Sequence, residues 1–191
     1  MNKVPQTTEA IEILPDGRCI SYCDYGHPNG IPIFQFHGTP GSRIFGLDNE
    51  EVSAAGLRIL TPERPGYGKS SPNPDAEAVA DWVDDIQMLA DRLNLDRFHV
   101  IGVSGGGPFA LACAALLPQR VITATVVASP APMTTTGFWN GLSVVNRTVF
   151  FISRYATVLL PLLCTAMAAL MKDRGKASSH QGEAFLSLIH I

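Results

Sequence analysis

No block of lysine and arginine occurs in this chain, which carries 14 basic and 17 acidic residues for a formal net charge of −3. A phosphate backbone is held by clustered cations, so the composition argues against nucleic acid as a partner. The first ten residues, MNKVPQTTEA, lack an apolar core and are not expected to act as a secretory signal. Cysteine is scarce, at four residues. Cys19 and Cys23 fall on one predicted strand, where a rise of about 3.3 Å per residue sets their Cα atoms about 13 Å apart, too far for a bridge. Cys113 falls in a predicted helix and Cys164 in an apolar stretch, and no spacing suits a metal. The expectation is four free thiols, buried or half-buried, in a reducing cytoplasmic compartment, with no metal and no other cofactor.

What is present is a globular composition. Hydrophobic residues make up 46% of 191 positions, enough for one domain with a substantial core. Residues 10–14 and 18–25 read as strands joined by a turn at Pro15-Asp16-Gly17. Residues 32–36 and 57–61 read as buried strands, with a short helix over 48–55 between them. Asn73-Pro74-Asp75 has the pattern of a helix start: a capping side chain, proline at the first position and an acid in the first turn. The helix it opens carries Val79, Trp82, Val83, Ile86, Leu89, Ala90 and Leu93 on one face, with Asp81, Asp84, Asp85 and Arg92 towards water. That stripe is read as packing against a sheet. After a strand over 98–101, a helix rich in alanine ends near Pro118, and 121–128 is a continuous apolar strand of the kind buried in a parallel sheet. Strands alternating with helices predict an α/β architecture, with a mostly parallel, doubly wound sheet behind an N-terminal antiparallel hairpin.

Three loops carry the chemistry. Gly102-Val103-Ser104-Gly105-Gly106 places a serine between glycines where a predicted strand meets a predicted helix. A hydroxyl on such a bend points outward, and the N–H of Gly105 sits at a helix N-terminus, where unpaired donors favour a developing negative charge. A second strand runs into His37-Gly38-Thr39-Pro40-Gly41-Ser42, and a third into Glu63-Arg64-Pro65-Gly66-Tyr67-Gly68-Lys69-Ser70. Taken in order, HGTPGS, ERPGYGKS and GVSGGG resemble the α/β-hydrolase superfamily over residues 10–130. The resemblance implies that Ser104 is the nucleophile and that Thr39 and Gly105 supply two oxyanion-hole N–H groups. It further implies a small-molecule ester, thioester or amide substrate. The family more often has Asp where Glu63 stands. Serine at the elbow argues against the epoxide hydrolases and dehalogenases of the family, which use aspartate there.

Residues 105–110 also fit a dinucleotide-binding pattern, G-x-G-x-x-A, but that site needs an acid about 20 residues on. Residues 125–133 contain no Asp or Glu, so the pattern is set aside. His37 precedes the serine, whereas the order in this fold is serine, acid, histidine, so its expected role is to brace the oxyanion loop. His27 in a polar turn and His99 on a strand are read as structural, and Tyr67 as packing near the site. Between Ser104 and His180 the one carboxylate is Asp173. The seven-residue step from Asp173 to His180 cannot hold a strand and crossover helix, which take at least about 10–12 residues. The catalytic acid and histidine are therefore expected to be absent, and the last strands of the fold with them.

The organisation expected is a core over 1–136, the start of a helical cap over 137–185 and a non-native tail over 186–191. Phe138, Trp139, Leu142, Val145, Phe150 and Phe151 are expected to cover the pocket. Residues 155–171 are uncharged but contain Pro161, and read as a kinked cap helix in preference to a membrane anchor. The tail LSLIHI matches the translation of a transposon end used to attach sequencing adapters. Two functions follow: a serine hydrolase working through an acyl-enzyme, with this chain itself inactive, or a non-catalytic binding or receptor protein on the same fold. The sequence does not fix the oligomeric state.

Overall fold

The computed structural model describes residues 8–39, 41–44, 47–132, 134–155 and 165. Cys164, Asp173, His180, the tail 186–191, the side chain of Val145 and most of the apolar run 155–171 lie outside the described residues.

The chain first reverses between β1 (Thr8–Ile13) and β2 (Cys19–Gly26). Asp16 fixes the turn by accepting from the Arg18 amide at 2.9 Å, and Ile13 comes opposite Cys19. Four further strands follow: β3 (Ile31–Phe36), β4 (Leu57–Pro62), β5 (Phe98–Val103) and β6 (Val121–Val127). They form one sheet in the order β1-β2-β4-β3-β5-β6. β2 runs antiparallel to β1 and β4, and β3 to β6 are parallel throughout. Helices α1 (Asn49–Ala54), α2 (Trp82–Arg92) and α3 (Gly107–Leu116) make the crossovers between the parallel strands.

Alternation along the central strands divides the core. Phe34, Phe36, Leu60, Phe98 and Val100 pack with Trp82, Ile86 and Leu89 of α2 and Ala110 of α3. Phe34 meets Phe98 edge-on at 4.9 Å, and Phe36 meets Trp82 at 6.1 Å. Ile33 and Ile59, of opposite parity, are buried on the other face, where α1 contributes Val52. Side chains enter the core from both faces, as parallel strands require. Asp48 caps α1 by accepting from the amides of Glu50 and Glu51 at 2.8 and 3.0 Å.

The structure corrects the sequence reading at two places. Asn73 does not open a helix. Its side chain accepts from the Asp75 amide at 3.2 Å in a local turn, and Asp81 accepts from the amides of Glu77 and Ala78, both at 2.8 Å. A 3-10 turn over Val79–Asp81 then leads into α2, leaving Val79 38% exposed. Short polar side chains that bond nearby amides favour turns over helix, and here that preference wins. Asp85 does not face water either. It is 2% exposed and accepts both terminal nitrogens of Arg18, at 2.5 and 3.0 Å. Among the described residues β6 is the edge strand of the sheet, the place that the expected absence of the last strands leaves it: Val121 is buried, but Ile122 and Val126 are 44% and 40% exposed.

The chain forms two compact units, Met1–Ser129 and Pro130–Ile191. The second contains α4 (Phe138–Gly141) and α5 (Val144–Tyr155), where the rings of Phe138, Trp139 and Phe150 meet edge-to-face. Phe151 is exposed.

Candidate active site

The bend between β5 and α3 holds Ser104 at φ 51°, in the left-handed region that few non-glycine residues adopt. A 3-10 turn over Ser104–Gly106 joins it to α3. Such a conformation costs of order 1–3 kcal/mol and persists only where the surroundings enforce it. Two glycines show the enforcement. A Cβ on Gly106 would lie 2.1 Å from the Phe36 carbonyl oxygen, and one on Gly102 would lie 2.5 Å from the Gly106 oxygen. Gly106→Ala should therefore lower stability by about 2–4 kcal/mol, read as an earlier midpoint in urea unfolding.

The loop after β3 packs against this bend. A Cβ built on Gly38 would approach the Ser104 Cβ to 3.2 Å, and one on Gly105 would come 2.8 Å from Thr39 Oγ1 and 3.2 Å from Thr39 N. Gly38, Thr39, Ser104 and Gly105 are thus neighbours. One side chain fixes the loop. Arg64 donates to the carbonyls of His37 and Gly38 at 2.6 and 3.1 Å and to Thr39 Oγ1 at 3.0 Å. Because a trans peptide sets N–H and C=O in opposite directions, holding the Gly38 carbonyl turns the Thr39 N–H away from the guanidinium. Sequence reading missed Arg64, although it stands in the ERPGYGKS loop that was singled out. A local motif does not say which carbonyls a long side chain will reach.

His37 is 1% exposed and bonds the Gly38 carbonyl through Nδ1 at 2.9 Å. A carbonyl can only accept, so Nδ1 carries the proton, and the buried Nε2 has no partner among the described residues. Burial, aided by the Arg64 charge, pushes its pKa down from 6.5 to about 4. The unfolded chain then takes up a proton near pH 6.5 that the folded protein refuses until about pH 4. Stability is expected to fall as pH drops through that window. The His37 ring resonance should hold its neutral position through pH 6.5 and move only near pH 4. His27 accepts from the Asn29 amide, and His99 bonds Thr123 at 2.7 Å.

Glu63, fully buried, anchors the third loop. Its Oε2 accepts from Ser21 Oγ at 2.5 Å, Arg43 Nη1 at 2.9 Å and the Lys69 amide at 3.0 Å. Burial alone would raise its pKa, but these donors outweigh it and hold the carboxyl below the usual value. Arg43 also reaches Glu9 at 2.6 Å. Cys19 is half-buried, Cys23 and Cys113 are buried, and all three are free thiols; burial pushes the Cys113 thiol up to about 12.

Beside Thr39 a cavity of about 370 Å³ opens between the ERPGYGKS loop and the start of α2. Tyr67, Trp82 and Phe109 wall it, together with Arg64 and Asp81. The Arg64 guanidinium lies 4.7 Å from the Tyr67 ring centre and 4.9 Å from that of Phe109.

The chain is 36% identical over 104 residues to a proline iminopeptidase of Xanthomonas citri, covering 53% of this chain and 33% of that protein. It is 33% identical over 105 residues to a "Probable proline iminopeptidase" of Leptolyngbya boryana, covering 54% and 33%. The chain spans about a third of the length of these curated relatives. The epoxide hydrolase CorEH superposes with a TM-score of 0.67 at 18% identity, over 83% of this chain and 56% of that one, a likeness of fold. Residues 31–160 match the model of the alpha/beta hydrolase fold family, and the chain belongs to that family.

Proposed function

We propose that this protein is a serine hydrolase that cleaves an ester, thioester or amide through an acyl-enzyme on Ser104. The left-handed bend at Ser104, closed in by Gly38 and Thr39, is the observation that carries this reading. Ser104 Oγ attacks the carbonyl carbon and gives its proton to a general base. The carbonyl oxygen becomes an oxyanion, which the N–H groups of Thr39 and Gly105 stabilise without having to reorganise. The proton then passes to the leaving group, and water repeats the sequence to release the acid. No cofactor takes part. The likeness to proline iminopeptidases supports an amide among the substrates.

The base is not one of the described histidines, since His27, His37 and His99 bond other groups and none bonds Ser104 among the described residues. The acid and base are proposed to lie beyond residue 191, and the residues from 137 on to begin a cap. The 191-residue chain alone is then inactive or nearly so, because serine without its base is a poor nucleophile. Free thiols at Cys19, Cys23 and Cys113 favour a cytoplasmic location. No helix among the described residues is long and apolar enough to cross a membrane.

Covalent labelling by a fluorophosphonate, in the protein as its gene encodes it, tests the reading. A labelled peptide carrying Ser104 supports it, and an unlabelled folded protein overturns it. A second reading, a binding or receptor protein on the same fold, is favoured by the absence of a base bonded to Ser104 among the described residues. Folded protein that binds ligand yet resists the label would establish it.

A further inference from the structure

The cavity beside the oxyanion loop contains a cation whose charge the chemistry at Ser104 leaves unbalanced, although its hydrogen bonds hold the loop. Arg64 is 5% exposed, and no carboxylate pairs with it among the described residues. Its acceptors are two carbonyls and the Thr39 hydroxyl, with the Tyr67 side chain also favouring the charged form; none is a carboxylate, and aromatic rings lie over the guanidinium. The neighbouring Glu63 spends its charge on Ser21, Arg43 and Lys69. Burial lowers the Arg64 pKa, yet a guanidinium stays protonated throughout the physiological range. A buried charge met only by dipoles and ring faces is under-compensated, and an anion in the cavity completes it.

The rest of the wall limits what that anion can belong to. Tyr67, Trp82 and Phe109 present flat apolar surface. The volume of about 370 Å³ is at the small end of ligand pockets, which run from about 300 to 1,000 Å³. A single ring or short acyl chain fits, and a long lipid chain does not. Asp81 is the one acid of the lining, and two amides already occupy its Oδ2. Its charge opposes an anionic ligand, so the selectivity rests on Arg64.

We propose that this cavity binds an organic carboxylate, with the anion at Arg64 and the body against Tyr67, Trp82 and Phe109. Thr39 lines the cavity and also adjoins Gly105, so a ligand there sits beside the oxyanion loop. The substrate is then an ester, thioester or amide whose acyl or leaving half carries a free carboxylate, a step that rests on the hydrolase reading above.

The test titrates the 191-residue chain with benzoate and with its neutral isostere benzamide, following the Trp82 indole resonance. Benzoate is expected to give a saturable shift with affinity at least about tenfold above that of benzamide. Asp81→Asn keeps an accepting oxygen for the two amides and should tighten benzoate binding. Arg64→Gln should abolish the preference, and Ala76→Phe, which puts a ring into the cavity from another of its lining residues, should abolish binding. Equal affinity for the two ligands, no saturable shift, or benzoate binding unchanged in the folded Ala76→Phe variant would overturn the proposal. Ser104→Ala should bind benzoate normally. Failure of benzoate to bind thus leaves the fluorophosphonate result standing, and failure of labelling leaves the carboxylate site standing.

Discussion

Ser104→Ala, in the protein as its gene encodes it, is expected to lower kcat by about 10⁶-fold and to abolish fluorophosphonate labelling. The magnitude follows from the proposed covalent mechanism, in which removing the hydroxyl removes the bond on which both half-reactions depend. KM should change little, because the Ser104 side chain contributes to bond making more than to substrate affinity. The fold should survive. Alanine at this position keeps the left-handed φ of 51° at a similar steric cost, and among the described residues no hydrogen bond to the Ser104 hydroxyl is lost. Retained hydrolysis by a folded, purified variant would remove the acyl-enzyme from the account.

Glu63→Gln is expected to be strongly destabilising, at about 3–5 kcal/mol. The substitution swaps a carboxylate oxygen for an amide while leaving Arg43 buried. Among the described residues Arg43 then retains the Glu9 carboxylate, whose side chain is 48% exposed and pairs more weakly. The Ser21 hydroxyl and the Lys69 amide lose a charged acceptor as well. Their partners join β2 to the ERPGYGKS loop, so the loss should spread to Arg64 and the oxyanion loop it holds. Urea unfolding at neutral pH measures the loss, which should change little with salt because the pair is screened from solvent. The pH dependence has a definite sign. The folded carboxyl is held below its ordinary value of 4.5, so its contribution is complete above that pH and is lost as pH falls through the lower folded value. Wild type and Glu63→Gln should therefore converge in stability under strongly acid conditions.

How legible each part was depended on the sequence distance between partners. The hairpin, the parallel strands and the elbow lie where the sequence pattern puts them, since apolar runs and turn residues act over a few positions. The start of α2 was misread because Asn73-Pro74-Asp75 satisfies the capping rules locally, while the actual start is set by Asp81 bonding backward to Glu77 and Ala78. Asp85 sits among aspartates on an apparently polar stripe, and its partner Arg18 is 67 residues away. No periodicity reports such a pair.

Sequence alone determined the chain of strands and crossovers and the serine set between glycines at a strand-to-helix bend. These follow from backbone preference and from which side chains avoid water, properties that neighbouring residues carry by themselves. Tertiary structure decided which carbonyls Arg64 holds, which donors surround Glu63, and that a guanidinium with no carboxylate partner among the described residues lines a cavity beside Thr39. Charges and hydrogen bonds act across space with precise directions, so only the folded chain brings their partners within reach.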